Sequence, residues 1–179
     1  IRVVLVAVVA VVAATGAACT HDPDPSPPPT ASPTATPSTT PAPPPMPPSA
    51  QADSPAGAES FARYYMDALD YAYQTGNTSL VRNLANCEGC SAVAKGIDDW
   101  YHQGGHYEGG RFSIISSTAT HYSSTKTATI ALRYSRADRT LVSSKGTRDL
   151  VKAERGLTLS LTEVRTRSRW LITNIQTVG

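Results

Sequence analysis

The clearest hydrophobic period in the chain begins about a third of the way along it. Phe61, Tyr64, Tyr65, Ala68, Leu69 and Ala72 recur at helical spacing, and Arg63, Asp67, Asp70 and Gln74 fall on the opposite face. This pattern predicts an amphipathic helix. Ser54 and Pro55 suit its cap and first turn, and Gly76 suits its end. Glu59 precedes Arg63 by four residues, the favourable order for an ion pair on the helix surface. Thr78 is expected to cap a short second helix carrying Leu80, Val81 and Leu84. A third helix carries Val93, Ile97, Trp100 and Tyr101, and Gly104-Gly105 closes it.

Beyond these glycines the period changes to two. Phe112 and Ile114 share a face. Ala128, Ile130, Leu132 and Tyr134 alternate with polar residues, as do Leu157, Leu159 and Leu161. Trp170 and Ile172 open a last strand. Ser123-Ser124, Lys145-Gly146 and Arg167-Ser168 are spaced as hairpin turns. Helices followed by strands predict an α+β fold. Its economical form is one curved antiparallel sheet with the helices on the concave side.

Upstream of the first helix the composition changes completely. All 14 prolines lie between Pro23 and Pro55, mixed with Ser, Thr and Ala. Residues 19–54 therefore read as an extended stalk with too little apolar surface to offset its ordering entropy. Runs such as Pro27-Pro28-Pro29 favour polyproline II, and at about 3.1 Å per residue the stalk reaches on the order of 100 Å. Its Thr-Pro text also suits O-glycosylation. Residues 1–18 hold one charge, Arg2, ahead of a Val, Leu and Ala run that ends in small residues. This describes a signal peptide whose start is expected further upstream, since the first residue is Ile. Gly16-Ala17-Ala18-Cys19 resembles a lipobox, with Cys19 as the lipid acceptor and Gly16 where a branched aliphatic is usual. An ordinary cleaved signal and an uncleaved anchor are the alternatives. The foldable domain is then 55–179.

The order of one long helix, two shorter ones and a bent sheet resembles the NTF2-like, cystatin-related cone. Two local sequences add to the likeness: Ala72-Tyr73-Gln74-Thr75-Gly76-Asn77 and the closing Arg169-Trp170-Leu171-Ile172. The whole layout is similar to a family of uncharacterised actinobacterial lipoproteins. It comprises signal, Cys19, Pro/Thr stalk, Glu59-Ser60-Phe61-Ala62-Arg63-Tyr64-Tyr65 and Cys87-Glu88-Gly89-Cys90. The resemblance implies an extracytoplasmic domain on the outer face of a membrane. It implies no activity.

Net charge is +2, but from Gly57 to Gly110 three basic residues face seven acidic ones, and from Arg111 onward twelve basic face four acidic. The positive second half reads as solvated faces of amphipathic elements, with an anionic partner as the alternative. Its basic residues form no compact run, so nucleic acid is not an expected partner.

If Cys19 carries lipid, Cys87 and Cys90 remain as a pair in an oxidising compartment, where a structural disulfide is expected. The two-residue spacing also occurs in thiol oxidoreductases. Here the motif follows a helix and not a core strand, and no proline follows Pro55 to sit beside the thiols. Asp98, Asp99, His102, His106 and His121 are the candidate acids, bases or ligands. Asp98 and Asp99 are adjacent on a helix, so at most one faces inward. Gly104-Gly105 breaks the geometry that His102 and His106 would need to share a metal. No catalytic set, metal site or cofactor is expected. Tyr65, Leu69, Trp100, Tyr101, Tyr134 and Trp170 are the candidate lining of an apolar pocket. The expected role is a non-catalytic binding or interaction module facing a cell-wall component or envelope protein. The alternative is a cone-type enzyme or carrier for a small hydrophobic molecule. A buried acid paired with a second polar group in the pocket would favour the enzyme.

Overall fold

The computed structural model describes residues 41–178. The predicted signal peptide, Cys19 and the stalk as far as residue 40 lie outside the described residues.

Helix α1 spans Pro55–Thr75. Ser54 caps it by accepting a 3.1 Å hydrogen bond from the Gly57 amide. Gly76 ends it in the left-handed region at φ 73°, donating its amide to Ala72. A side chain at position 76 would also meet the Tyr101 ring, 2.5 Å away. Helix α2 is Ser79–Leu84 and α3 is Glu88–His102. Thr78 does not cap α2. Its hydroxyl donates to Asp98 at 2.8 Å, and Arg82 pairs with the same carboxylate, so the side chain ties α2 to α3. Asn77 instead accepts from the Ser79 amide.

Seven strands follow: β1 His106–Gly109, β2 Phe112–Tyr122, β3 Thr127–Arg136, β4 Arg139–Val142, β5 Arg148–Val151, β6 Glu154–Arg165 and β7 Trp170–Val178. They form two open antiparallel sheets, β2-β3-β6-β7 and β1-β4-β5. The expected single sheet is therefore divided. The cause lies at two adjacent breaks. Gly109, the last residue of β1, and Gly110 after it both take positive φ, and the Gly110 amide donates to the Asp138 carbonyl in the gap between β3 and β4. Consecutive residues with φ above zero are easy only for glycine. The three predicted turns all appear as hairpin connections.

The core lies between α1 and the larger sheet. Ile130 faces Leu161 and Leu132 faces Leu159 in register across β3 and β6. Phe61, Tyr65, Ala68 and Ala72 of α1 are buried with them. Helix α1 is buried on more than one side, because Ala58, Ala62 and Met66 are also covered. Part of this cover is residues 41–54, which the sequence assigns to the stalk. Ala50 sits in a short 3-10 turn, Pro48–Gln51, and is 1% exposed, with Met46 packed against the core. Tyr64 donates to the Pro44 carbonyl at 3.2 Å and Trp170 to that of Ala52 at 2.9 Å. A Cβ at Gly57 would stand 2.0 Å from the Ala52 oxygen, so glycine permits the close approach.

Two charged residues of α1 turn inward against the sequence expectation. Glu59 makes no pair with Arg63. Its Oε1 accepts from the Ala119 amide at 2.8 Å. Asp70 leaves the solvent face and accepts from the Phe112 amide at 3.1 Å. Both occupy backbone donors of β2, an edge strand whose amides need partners.

Candidate functional site

Where α1, the start of α3 and the larger sheet meet, they leave a groove of about 310 Å³. Met66, Leu69 and Tyr73 come from α1, Gly89 and Val93 from α3, and Phe112 from β2. Tyr134 and Arg136 come from β3, Leu159 from β6, and Ile175 and Thr177 from β7. The inward row of β3 continues past Leu132 to Tyr134 and Arg136, which is how a cation reaches this surface. No carboxyl, imidazole or thiol is among these lining residues.

Arg136 is 8% exposed. Its Nε donates to the Gly110 carbonyl at 3.1 Å. Its guanidinium carbon lies 4.2 Å from the centre of the Tyr73 ring and 4.7 Å from that of Phe112. Phe112 in turn meets Tyr134 edge to face at 5.6 Å. The rings provide the guanidinium with two negative faces.

Of the six residues expected to line a pocket, Leu69 and Tyr134 do so. Tyr65 and Trp170 are instead wholly buried in the core. Both are large inward-facing rings with neighbours on every side, so they fill space and leave none. Trp100 and Tyr101 pack on Tyr107 at 6.2 and 6.1 Å, and Tyr107 meets Tyr73 at 5.1 Å. They therefore buttress the groove wall from behind. Trp100 also donates to His106 and Tyr101 to the Tyr73 carbonyl.

The other candidates are structural. Asp98 joins α2 to α3 as described, and Asp99 pairs with Lys95. His102 contacts the Asp98 carbonyl, His106 stands 3.4 Å from Glu108, and His121 is an exposed residue of β2. Among the described residues no three acidic, histidine or cysteine side chains gather into a metal site. Cys87 and Cys90 form a disulfide at the start of α3, where Cys87 Sγ also accepts from the Cys90 amide.

Sequence reading passed over Glu163. It is fully buried on β6, facing Ala128 of β3 and Ile172 of β7, and neither carboxyl oxygen has a partner among the described residues. Burial pushes its pKa up to about 9. Asp70 rises to about 6, also through burial, which outweighs the lowering by the Phe112 amide and Arg111. Both Glu163 and Arg136 had a signal in the sequence. Each is the next member of an alternating apolar row, two residues beyond Leu161 and Tyr134.

Fold and groove together define an α+β domain of two open antiparallel sheets and three α-helices, with a mainly apolar cleft that has one cation in its lining. The chain belongs to a family of unknown function, DUF6318, which matches residues 30–176. No curated protein matches it in sequence. In structure it is similar to the intermembrane space region of chloroplast protein ARC6. The TM-score is 0.54 at 11% identity, over 70% of this chain and 97% of that one. At that identity the likeness is one of fold. Among the described residues no helix is long and apolar enough to cross a membrane.

Proposed function

We propose that the protein is an actinobacterial envelope lipoprotein whose NTF2-like cone acts as a non-catalytic binding module. Cys19 carries the lipid, the proline-rich stalk gives reach, and the domain stands on the outer face of the membrane. The Cys87–Cys90 disulfide agrees with an oxidising compartment. That the similar ARC6 domain is itself an intermembrane space region agrees with a place beyond a membrane.

The observation that carries the binding role is the lining of the groove. Apolar and aromatic side chains surround it, with one cation and no carboxyl, imidazole or thiol among the lining residues. Its volume lies at the low end of the roughly 300–1,000 Å³ of small-molecule sites. An enzyme of the cone type would place a buried acid there beside a second polar group. The buried acid of this fold, Glu163, is not among the groove's lining residues.

Native mass spectrometry of the domain released from its own envelope tests this. A non-covalent small-molecule adduct is expected, recovered chemically unchanged, and lost in Val93→Trp, which fills the groove. A bare protein, or conversion of the recovered molecule during incubation, would refute the binding role. Recovery of the domain from the soluble fraction after cell lysis would refute the anchor.

A further inference from the structure

Among the described residues the groove holds a charge without a counter-ion. Arg136 is buried to more than nine-tenths, yet among the described residues it forms no ion pair. Among the described residues its Nε is engaged by the Gly110 carbonyl, and its two terminal amino groups make no hydrogen bond and are not fully buried. Glu154 is its register partner on β6 but is exposed and makes no bridge to it. A second arginine stands close by. Arg139 flanks the same glycine, with its Cβ 2.7 Å and its Cδ 3.5 Å from where a Gly110 side chain would begin, and Arg136 Nε is 3.5 Å from that point. Among the described residues the Nε of Arg139 is buried without a partner, and Arg139 too is in no ion pair.

Burying a cation without an opposite charge is costly, and two aromatic faces and one carbonyl compensate for it only in part. A guanidinium fork with two free amino groups matches an oxyanion that presents two oxygens. Apart from Thr177 and the two tyrosines, the rest of the lining is apolar and includes Met66, Leu69, Val93, Leu159 and Ile175. We infer that the groove takes a small anionic amphiphile, with its carboxylate or phosphate on Arg136 and its hydrocarbon part between α1, α3 and the sheet. The inference rests on the binding role proposed above and names the ligand's chemistry.

Calorimetric titration of the domain with decanoate, decyl phosphate and 1-decanol, each as monomer, tests it. The wild type is expected to bind at least one of the anions ten-fold or more tighter than the alcohol of the same chain length. Arg136→Met, checked for folding by circular dichroism, is expected to bind anion and alcohol alike, and Arg136→Lys to restore part of the preference. Decanoate ahead of decyl phosphate assigns a carboxylate ligand, and the reverse order a phosphate ester. Equal affinity of the wild type for anion and alcohol, no binding of any of the three, or an undiminished preference in Arg136→Met would overturn the inference. The wild-type comparison decides the matter even if the variants fail to fold. A neutral adduct recovered from the envelope, together with no anion preference, would sink this inference and leave the binding role standing.

Discussion

The indole Nε1 of Trp170, at the start of β7, donates to the carbonyl of Ala52 at 2.9 Å, so the last strand holds the segment that leads into the first helix. Arg165 reaches Gln51 in the same way at 2.8 Å. Asp53 accepts from Tyr122 at 3.0 Å and pairs with Lys126. A chain that begins at Pro55 loses all of these and uncovers one side of α1. It is expected to be less stable than a chain beginning at Pro41 by on the order of 2–4 kcal/mol. Urea unfolding of the two compares them, and equal midpoints would show the arm to be ornamental.

Glu163 sets a pH dependence. Its folded pKa of about 9 stands above the ordinary glutamate value of 4.5, so the folded state holds a proton that the unfolded chain releases. Stability is then full below pH 4.5 and falls as pH rises towards 9. Asp70, with a folded pKa of about 6 against 3.8, adds to the same fall over a lower window. Glu163→Gln keeps the shape and removes the titration. At pH 8 it should exceed the wild type by on the order of 1–3 kcal/mol, and at pH 5 the two should converge. A wild-type stability that is flat from pH 5 to 9 would show that Glu163 finds a partner.

Tyr65 is buried with its hydroxyl unpaired among the described residues, and burial raises its pKa. Tyr65→Phe removes a desolvated group and no hydrogen bond. Thermal unfolding should show no loss and a gain of up to about 1 kcal/mol. A destabilised variant would reveal a hydrogen bond to that hydroxyl.

The Cys87–Cys90 bond closes a very short loop, so replacing both residues with serine should cost on the order of 1–3 kcal/mol and leave the domain folded. The pair should resist glutathione and show no insulin reductase activity. A readily exchanged bond with turnover would move the protein to the thiol oxidoreductases.

Cys19 is expected to be diacylated in the native protein. Mass spectrometry of the mature N-terminus reads this directly, and recovery of an unmodified Cys19 or of an intact signal would remove the anchor from the proposal.

Much of this fold is legible in the chain. Ser54, Pro55 and Gly76 mark α1 because caps and left-handed ends are local events. The hairpin turns and the alternating rows of β3 and β6 are local as well. What escaped depends on distant partners. Glu59 and Asp70 look like solvent-face charges until β2 offers its amides. Arg136 and Glu163 look like ordinary ends of amphipathic strands until the alternation is followed one step further, where parity sends them inward. The arm escaped for a different reason. Its proline density reads as a linker, and only the fold brings the surface of α1 that Ala50 and Met46 cover. The groove was half legible. Leu69 and Tyr134 line it, but helical spacing alone cannot distinguish a ring that lines a space from one, like Tyr65 or Trp170, that fills it.

Any pull on the chain upstream of Pro41 enters the domain through the arm, and the arm's attachments come in chain order. Tyr64 on Pro44 is loaded first, then Arg165 on Gln51, then Trp170 on Ala52, then Tyr122 and Lys126 on Asp53, and only afterwards the cap of α1. Bonds strained one after another give way at lower force than bonds strained together. The arm thus behaves as a mechanical fuse. Peeled, residues 41–54 extend to on the order of 45 Å at about 3.4 Å per residue, part of which the folded arm already spans, before α1 itself begins to unwind.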